Sequence, residues 1–316
     1  MSVVRDGIPL RLIVGLAGTE LTREETELFT ATNPLGFILF ARNCETRDQI
    51  RLLVDSLKRI TGRADTPILI DQEGGKVQRL LPPNWRAAPP SRAFGELARK
   101  NESAAVTAAW LNARLIAADL AELGINYNCA PVLDVPTEDA DPIIGDRAFA
   151  SEAECVALLG QAACSGFLAG GITPIIKHIP GHGRATADSH VALPVVSADR
   201  ASLIASDIAP FAALNRMPWA MTAHVVYTAF DRDRPATTSP TVIDEVIRQL
   251  IGFEGVLISD DVCMSALSGP PRERADAALA AGCDLVLHCN GDIAEMGDVV
   301  KACGPLLPTQ HARLAA

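Results

Sequence analysis

The run GITPIIKHIPGHGRATADSH, residues 171–190, holds the logic of the fold in one repeat. A glycine suited to closing a helix is followed by an apolar stretch too short for a helix. That stretch ends in Lys177 and His178, and a Pro- and Gly-rich loop takes over. An unbroken apolar run bounded by such signals reads as a strand buried on both faces, which is the signature of a parallel sheet.

The same unit recurs outward in both directions. Candidate strands are LRLIVGL (centred on 11–16), GFILF (36–40), PILID (67–71), INYNCAPVLDV (125–135), ITPIIKHI (172–179), WAMTAH (219–224), GVLISDD (255–261) and DLVLHCN (284–290). Segments of helical period lie between them. Thr22 with Glu25, Thr46 with Gln49, and Ser151 with Glu154 fit the capping-box pattern at helix starts. Gly62, Gly124, Gly171, Gly252 and Gly282 sit where a left-handed residue would end a helix. Eight strand–helix units are the number that closes a (β/α)8 barrel of TIM type, expected here as one catalytic domain over residues 1–316. An open doubly wound sheet competes, but no GxGxxG or GxxxxGKS follows any candidate strand. PPNWRAAPPSR (82–92) reads as a loop over one barrel mouth.

Composition narrows the function. Nearly half of the 316 residues are apolar (48%), enough for a large core, and the formal net charge is −10. That charge, without clustered Lys or Arg, argues against a nucleic-acid partner. No secretory signal pattern opens the chain and no apolar stretch is long enough to span a membrane. Cys44, Cys129, Cys155, Cys164, Cys263, Cys283, Cys289 and Cys303 are scattered without a CxxC, so they read as reduced small hydrophobes and the compartment as cytoplasm.

In a barrel of this kind the carboxyl ends of the strands face the substrate. Those ends carry Asp71, Asp134, Lys177, His178, His224, Asp260, Asp261 and Asn290. In the opening run, His178, His182 and His190 could hold a metal, but the spacing fits no common ligand pattern and Lys177 would oppose a second cation. A phosphate cradle lacks its Lys-Ser/Thr, and simple loop hydrogen bonding stays open. The alternative is a proton-transfer device, with Asp188 two residues from His190 and able to orient its ring. In LISDDVCM (257–264) the adjacent carboxylates point to opposite faces, so one suffices for chemistry and the other can be an N-cap. In LIDQEGGKVQRL (69–80), Asp71 and Arg79 suit sugar hydroxyls, or a plain salt bridge.

Taken together, IDQEGGKVQRL, APVLDV, IIGDRAFA, KHIPGHGRATADSH, MTAHVVY, ISDDVCMSAL and AGCDLVLHCN resemble glycoside hydrolase family 3, in its bacterial β-N-acetylhexosaminidase branch, from about residue 12 to 290. The resemblance implies a (β/α)8 barrel that removes a non-reducing terminal β-linked sugar with retention, through a covalent glycosyl-enzyme intermediate. By their match to the family's motifs, Asp260 would be the nucleophile, Asp261 its turned-away neighbour, and His190 the general acid/base supported by Asp188. Asp71, Arg79, Arg147, Lys177 and His178 match positions that bind the sugar.

The expected substrate is a GlcNAc-containing peptidoglycan fragment (a muropeptide), hence peptidoglycan recycling, with no cofactor, no metal, and a monomeric chain without the accessory domain of other branches. Phosphorolysis on the same scaffold, a metal-dependent barrel hydrolase and a non-catalytic sugar-binding barrel are the alternatives. With Trp85, Trp110 and Trp219 as the only tryptophans, few stacking platforms exist for a long polysaccharide.

Overall fold

The computed structural model describes residues 7–315. Ten strands are formed: β1 (Leu10–Val14), β2 (Pro34–Leu39), β3 (Ile68–Ile70), β4 (Tyr127–Asn128), β5 (Thr173–Ile179), β6 (Val195–Val196), β7 (Trp219–Thr222), β8 (Val226–Tyr227), β9 (Val256–Asp261) and β10 (Leu285–His288). Eight of them close a barrel in the order β1-β10-β9-β7-β5-β4-β3-β2, parallel at every joint. The helices are α1 (Arg23–Thr32), α2 (Arg47–Thr61), α3 (Ser91–Ala98), α4 (Glu102–Glu122), α5 (Ala153–Ala169), α6 (Arg200–Ala205), α7 (Ala209–Ala213), α8 (Pro271–Ala281), α9 (Ile293–Val299) and α10 (Pro308–Ala315). The barrel expected from the alternating runs is therefore formed.

Two cores follow from the alternation of side chains along a strand. Ile13, Ile38, Leu69, Ile175, Met221, Ile258 and Leu287 fill the barrel interior. Their neighbours in sequence, such as Leu12, Phe37, Ile70, Ile176, Leu257 and Val286, face the helices. This phase decides the site. Asp71, Lys177 and Asp260 each lie two residues beyond an interior residue (Leu69, Ile175, Ile258), so each is the next inward position at the barrel mouth.

Local signals largely hold. Thr22 and Glu25 make a full capping box on α1. Thr46 accepts from the Gln49 amide, but the Gln49 side chain reaches the Glu45 N–H instead, leaving half a box. Ser151 does not cap. Helix α5 begins one residue later, at Ala153, and the Ser151 N–H donates to the Glu152 carboxylate at 3.2 Å. All five expected glycines have positive φ, from 66° at Gly62 to 118° at Gly282. Asn33, with φ 47°, ends α1 in the same way without a glycine to announce it.

The fourth strand is the main departure. Only Tyr127 and Asn128 pair as strand, because Pro131 has no N–H for the ladder and the Ala130 amide turns back to the Asn128 carbonyl. Val132 rejoins as a lone bridge to Lys177. The loop 82–92 buries Trp85 and packs on the segment after β3, where the Gly75 N–H donates to the Ala88 carbonyl. None of its residues borders the mouth cavity, so the expected cover over the mouth is not seen. Outside the barrel, β6 pairs in parallel with β8, and Val242–Leu250 is π-helical. All eight cysteines are free. Among the described residues no helix is long and apolar enough to cross a membrane.

Asp284 joins β9, β10 and the carboxyl-terminal helix from below. It is 3% exposed, accepts from the Leu257 amide at 2.9 Å and from Arg248 at 2.8 Å, and pairs with Arg313. Removing the carboxylate would leave two guanidinium groups and one amide without their acceptor. Asp284→Ala is expected to lower the unfolding free energy by about 3 kcal/mol, read from urea unfolding; a change under about 1 kcal/mol would contradict this account of the barrel floor.

Candidate active site

The mouth encloses a cavity of about 350 Å³, bordered among others by Phe40, Asp71, Glu73, Arg79, Ile144, Arg147, Lys177, His178, His182, Ser189, His190, Asp260 and Met264. Its size is at the small end of sites that hold one small molecule. All eight candidate site residues except Asp188 border it, and Asp188 touches His190. Of the other strand-end residues, Asp134, His224 and Asn290 are not on its wall. Asp134 is fully buried beneath it, His224 bonds Thr237 and the Asp261 carbonyl, and Asn290 bonds Glu295. None of the tryptophans borders it, and Phe40 is its aromatic ring, with the Arg79 guanidinium 5.1 Å from its centroid.

One wall is a chain of alternating charge. Arg79 meets Asp71 at 3.1 Å, Lys177 lies 2.8 Å from Asp71 and 2.7 Å from Glu73, and Arg147 forks onto Glu73 at 2.9 Å through two nitrogens. Burial alone would raise the carboxyl pKa values of Asp71 and Glu73, but the facing cations bring both below the ordinary range. The Lys177 and Arg147 pKa values move up for the same reason, their carboxylate partners outweighing desolvation. Glu73 escaped the sequence reading. The signal was present, since residues two apart on an extended segment share a face and Glu73 follows Asp71 by two.

A second centre organises the loop after β5. Buried Asp134 accepts from His178 Nδ1 at 2.7 Å and from the backbone N–H groups of His178 (3.2 Å) and His182 (2.7 Å). The first contact fixes the His178 tautomer with its proton on Nδ1, leaving Nε2 as the other ring position. His182 Nε2 lies 3.1 Å from Ser189 Oγ, so the root of the loop holds its tip. Burial and neighbouring His178 push the His182 pKa down to about 4, which keeps it neutral. Gly183 rests directly on the chain after β4, where a Cβ would fall 2.1 Å from the Val135 carbonyl oxygen. At the tip, His190 Nδ1 and the His190 amide both reach Asp188 Oδ1 at 2.8 Å, and the imidazole is 62% exposed. The Asp188 pKa is lowered because these bonds outweigh its slight burial. The tip is docked rather than free, with the Ala266 N–H donating to the Ser189 carbonyl at 3.2 Å.

Asp260 and Asp261 diverge as strand alternation requires. Asp261 Oδ1 accepts from the amides of Cys263 (3.0 Å) and Cys289 (3.1 Å), a structural task. Asp260 spends one oxygen on the Asp261 N–H at 2.8 Å and borders the cavity. Burial opposes its ionisation, but His224, His178, the Asp261 amide and Lys177 together hold its pKa below the usual value. The three-histidine metal alternative finds no support, because the ligand atoms of His178, His182 and His190 do not form a converging group among the described residues. Among the described residues, the metal-type ligand atoms that converge are those of Cys263, His288 and Glu295.

A parallel barrel whose carboxyl-terminal mouth holds ionised carboxylates beside imidazoles and fixed cations defines a (β/α)8-barrel enzyme. Residues 9–312 match the family model described as "Glycosyl hydrolase family 3 N terminal domain". The chain belongs to glycosyl hydrolase family 3 and is a glycoside hydrolase. It is 40% identical over 286 residues to a beta-hexosaminidase of Alkalilimnicola ehrlichii, covering 88% of this chain and 80% of that protein. It is 37% identical over 293 residues to a beta-hexosaminidase of Bordetella pertussis, covering 91% and 82%. The structure of NagZ from Neisseria gonorrhoeae in complex with N-trifluoroacetyl-D-glucosamine superposes with a TM-score of 0.88 at 34% identity, covering 98% of this chain and 89% of that one.

Asp134 generates a pH prediction. Its pKa falls from 3.8 to about 2, since the His178 and His182 contacts outweigh burial. A carboxyl with a depressed folded-state pKa contributes stability above its unfolded pKa and loses it as pH falls through the folded one. Asp134→Asn should be roughly 2 kcal/mol less stable than the parent at pH 7. The gap should close as pH falls from about 4 towards 2. Urea unfolding over that range measures it, and a gap that stays constant would remove Asp134 as the charged anchor.

Proposed function

We propose that this chain is a retaining exo-β-N-acetylglucosaminidase that releases terminal N-acetylglucosamine from muropeptides in the cytoplasm, as one step of peptidoglycan recycling. The sugar assignment is supported by the hexosaminidase relatives and by the glucosamine derivative in the neighbouring NagZ structure. The small cavity and the lack of a tryptophan platform favour one terminal sugar over a long chain.

The mechanistic reading rests on one observation: Asp260 and His190 border the same cavity, and the Asp188 contact at Nδ1 leaves His190 Nε2 for proton transfer. An Asp260 oxygen attacks the anomeric carbon as the bond to the leaving oxygen breaks, and Nε2–H protonates that oxygen. The neutral imidazole then takes a proton from water, which attacks the same carbon and frees Asp260. A neutral base approaches the ester without the charge repulsion a second carboxylate would bring, and Asp188 stabilises the imidazolium needed in the first half. Asp71, Arg79, Lys177, Arg147 and His178 present donors and acceptors to the sugar hydroxyls from a wall that the charge chain holds rigid. Glu73 positions two of them.

Kinetics of two variants test this. Asp260→Ala is expected to lose turnover on every substrate. His190→Ala should lose about 10²- to 10⁴-fold on a natural disaccharide. It should stay within about tenfold on aryl glycosides, whose leaving groups need little protonation. Equal loss on both substrate types at the glycosylation step would refute the acid role. The expected first product is free N-acetylglucosamine of β configuration, and a sugar 1-phosphate formed in phosphate buffer would reassign the acceptor.

A further inference from the structure

Behind the wall that carries Asp260 lies a group of side chains that glycoside hydrolysis does not use. His288 ends β10 on the outward face, two residues after Val286, while Leu287 and Cys289 face the cavity. Its side chain is fully buried, and neither ring nitrogen has a hydrogen-bond partner. That is an uncommon cost for an imidazole, because an unpaired buried polar atom loses its hydration without compensation. Nε2 lies 3.6 Å from Glu295 Oε2, too far for a hydrogen bond.

A ligand atom from each of Cys263, His288 and Glu295 lies within 4.8 Å of the other two. Around tetrahedral zinc, nitrogen and oxygen ligands at about 2.0–2.1 Å stand roughly 3.3 Å apart. The His288–Glu295 edge at 3.6 Å is therefore already near that spacing. Asp261, Glu295 and Asp292 act on the imidazole as negative charges, but burial outweighs them and lowers its pKa, which keeps the ring neutral with a lone pair to offer a metal. Glu295 is held in the first turn of α9 by the Asp292 cap and by Asn290, with its side chain 44% exposed, which leaves a route for the ion and for water.

We propose that Cys263 Sγ, a His288 ring nitrogen and a Glu295 carboxylate oxygen form a binding site for a divalent transition metal of the zinc class, with water as the fourth ligand. Sulfur, imidazole and carboxylate together select zinc over magnesium or calcium, which prefer all-oxygen shells. On binding, the Cys263 S–H bond breaks, its proton passes to solvent, and the thiolate becomes the ligand. Cys263 follows Asp261 by two residues and Asp260 by three, and its amide is already tied to Asp261. The metal would fasten the turn beyond the β9 carboxylates to β10 and α9, outside the sugar cavity and without a part in bond cleavage.

Cobalt(II) titrated into the chelator-stripped full chain tests this, because only a thiolate ligand gives the intense near-ultraviolet charge-transfer band. One equivalent should produce that band with the visible bands of four-coordinate cobalt, and zinc should displace it. Cys263→Ser should abolish the charge-transfer band, and Glu295→Gln, altered at a half-exposed side chain, should weaken binding at least tenfold. His288→Gln should do the same where it folds. Cobalt bound without the charge-transfer band, or a band unchanged in Cys263→Ser, would overturn the assignment. Cys289 borders the sugar cavity, so a Cys289→Ser variant, expected to keep the band, separates this site from metal bound at the cavity histidines.

Discussion

The arrangement of this mouth depends on where one ammonium group sits. Lys177 is 2% exposed, yet it lies 2.8 Å from Asp71 and 2.7 Å from Glu73, and so joins the end of β5 to the segment after β3. A buried pair of this kind adds little net stability, because desolvation of the ions consumes most of the attraction. Its contribution is positional. With both carboxylates committed to the same cation, Arg79 takes the other Asp71 oxygen, Arg147 forks across both Glu73 oxygens, and the wall takes a single arrangement. Apolar residues of equal volume could fill the space, but they could not offer fixed charge to hydroxyl groups.

The opposite wall uses the same economy with different chemistry. Asp134 gathers the first and fifth residues of the stretch His178–His182, and His182 passes the constraint to Ser189, next to His190. The imidazole proposed to move protons is thus carried by a loop whose root is buried and whose tip remains accessible. Rigid anchoring with local exposure is what a proton donor to a departing group requires, since the leaving oxygen must sit at the cavity rim.

Much of this was legible in the sequence because it follows from periodicity. Continuous apolar runs of strand length, each closed by a polar residue, fixed the barrel and put Asp71, Lys177 and Asp260 at its mouth by simple alternation. The five helix-closing glycines were equally readable, since few other residues take positive φ. What stayed hidden depends on distant partners. Pro131 shortened the fourth strand against its apolar pattern, the start of α5 moved past Ser151, and the β6–β8 pair joins residues that no local signal connects. The position of Asp134 and the face of Glu73 were readable, but their partners His178 and Arg147, like the Thr237 partner of His224, lie far away in the chain. Cys263, His288 and Glu295 are spread over two strand ends and a helix, with no motif spacing to bring them to notice.

The most direct test of the central claim is to trap the sugar on the enzyme. Incubation with a 5-fluoro glycoside of N-acetylglucosamine, followed by proteolysis and mass mapping of the labelled peptide, identifies the group that captures the anomeric carbon. The label is expected on Asp260, in the peptide that contains ISDDVCM. A label on any other side chain, or a time-dependent inactivation that leaves no covalent adduct, would contradict the account.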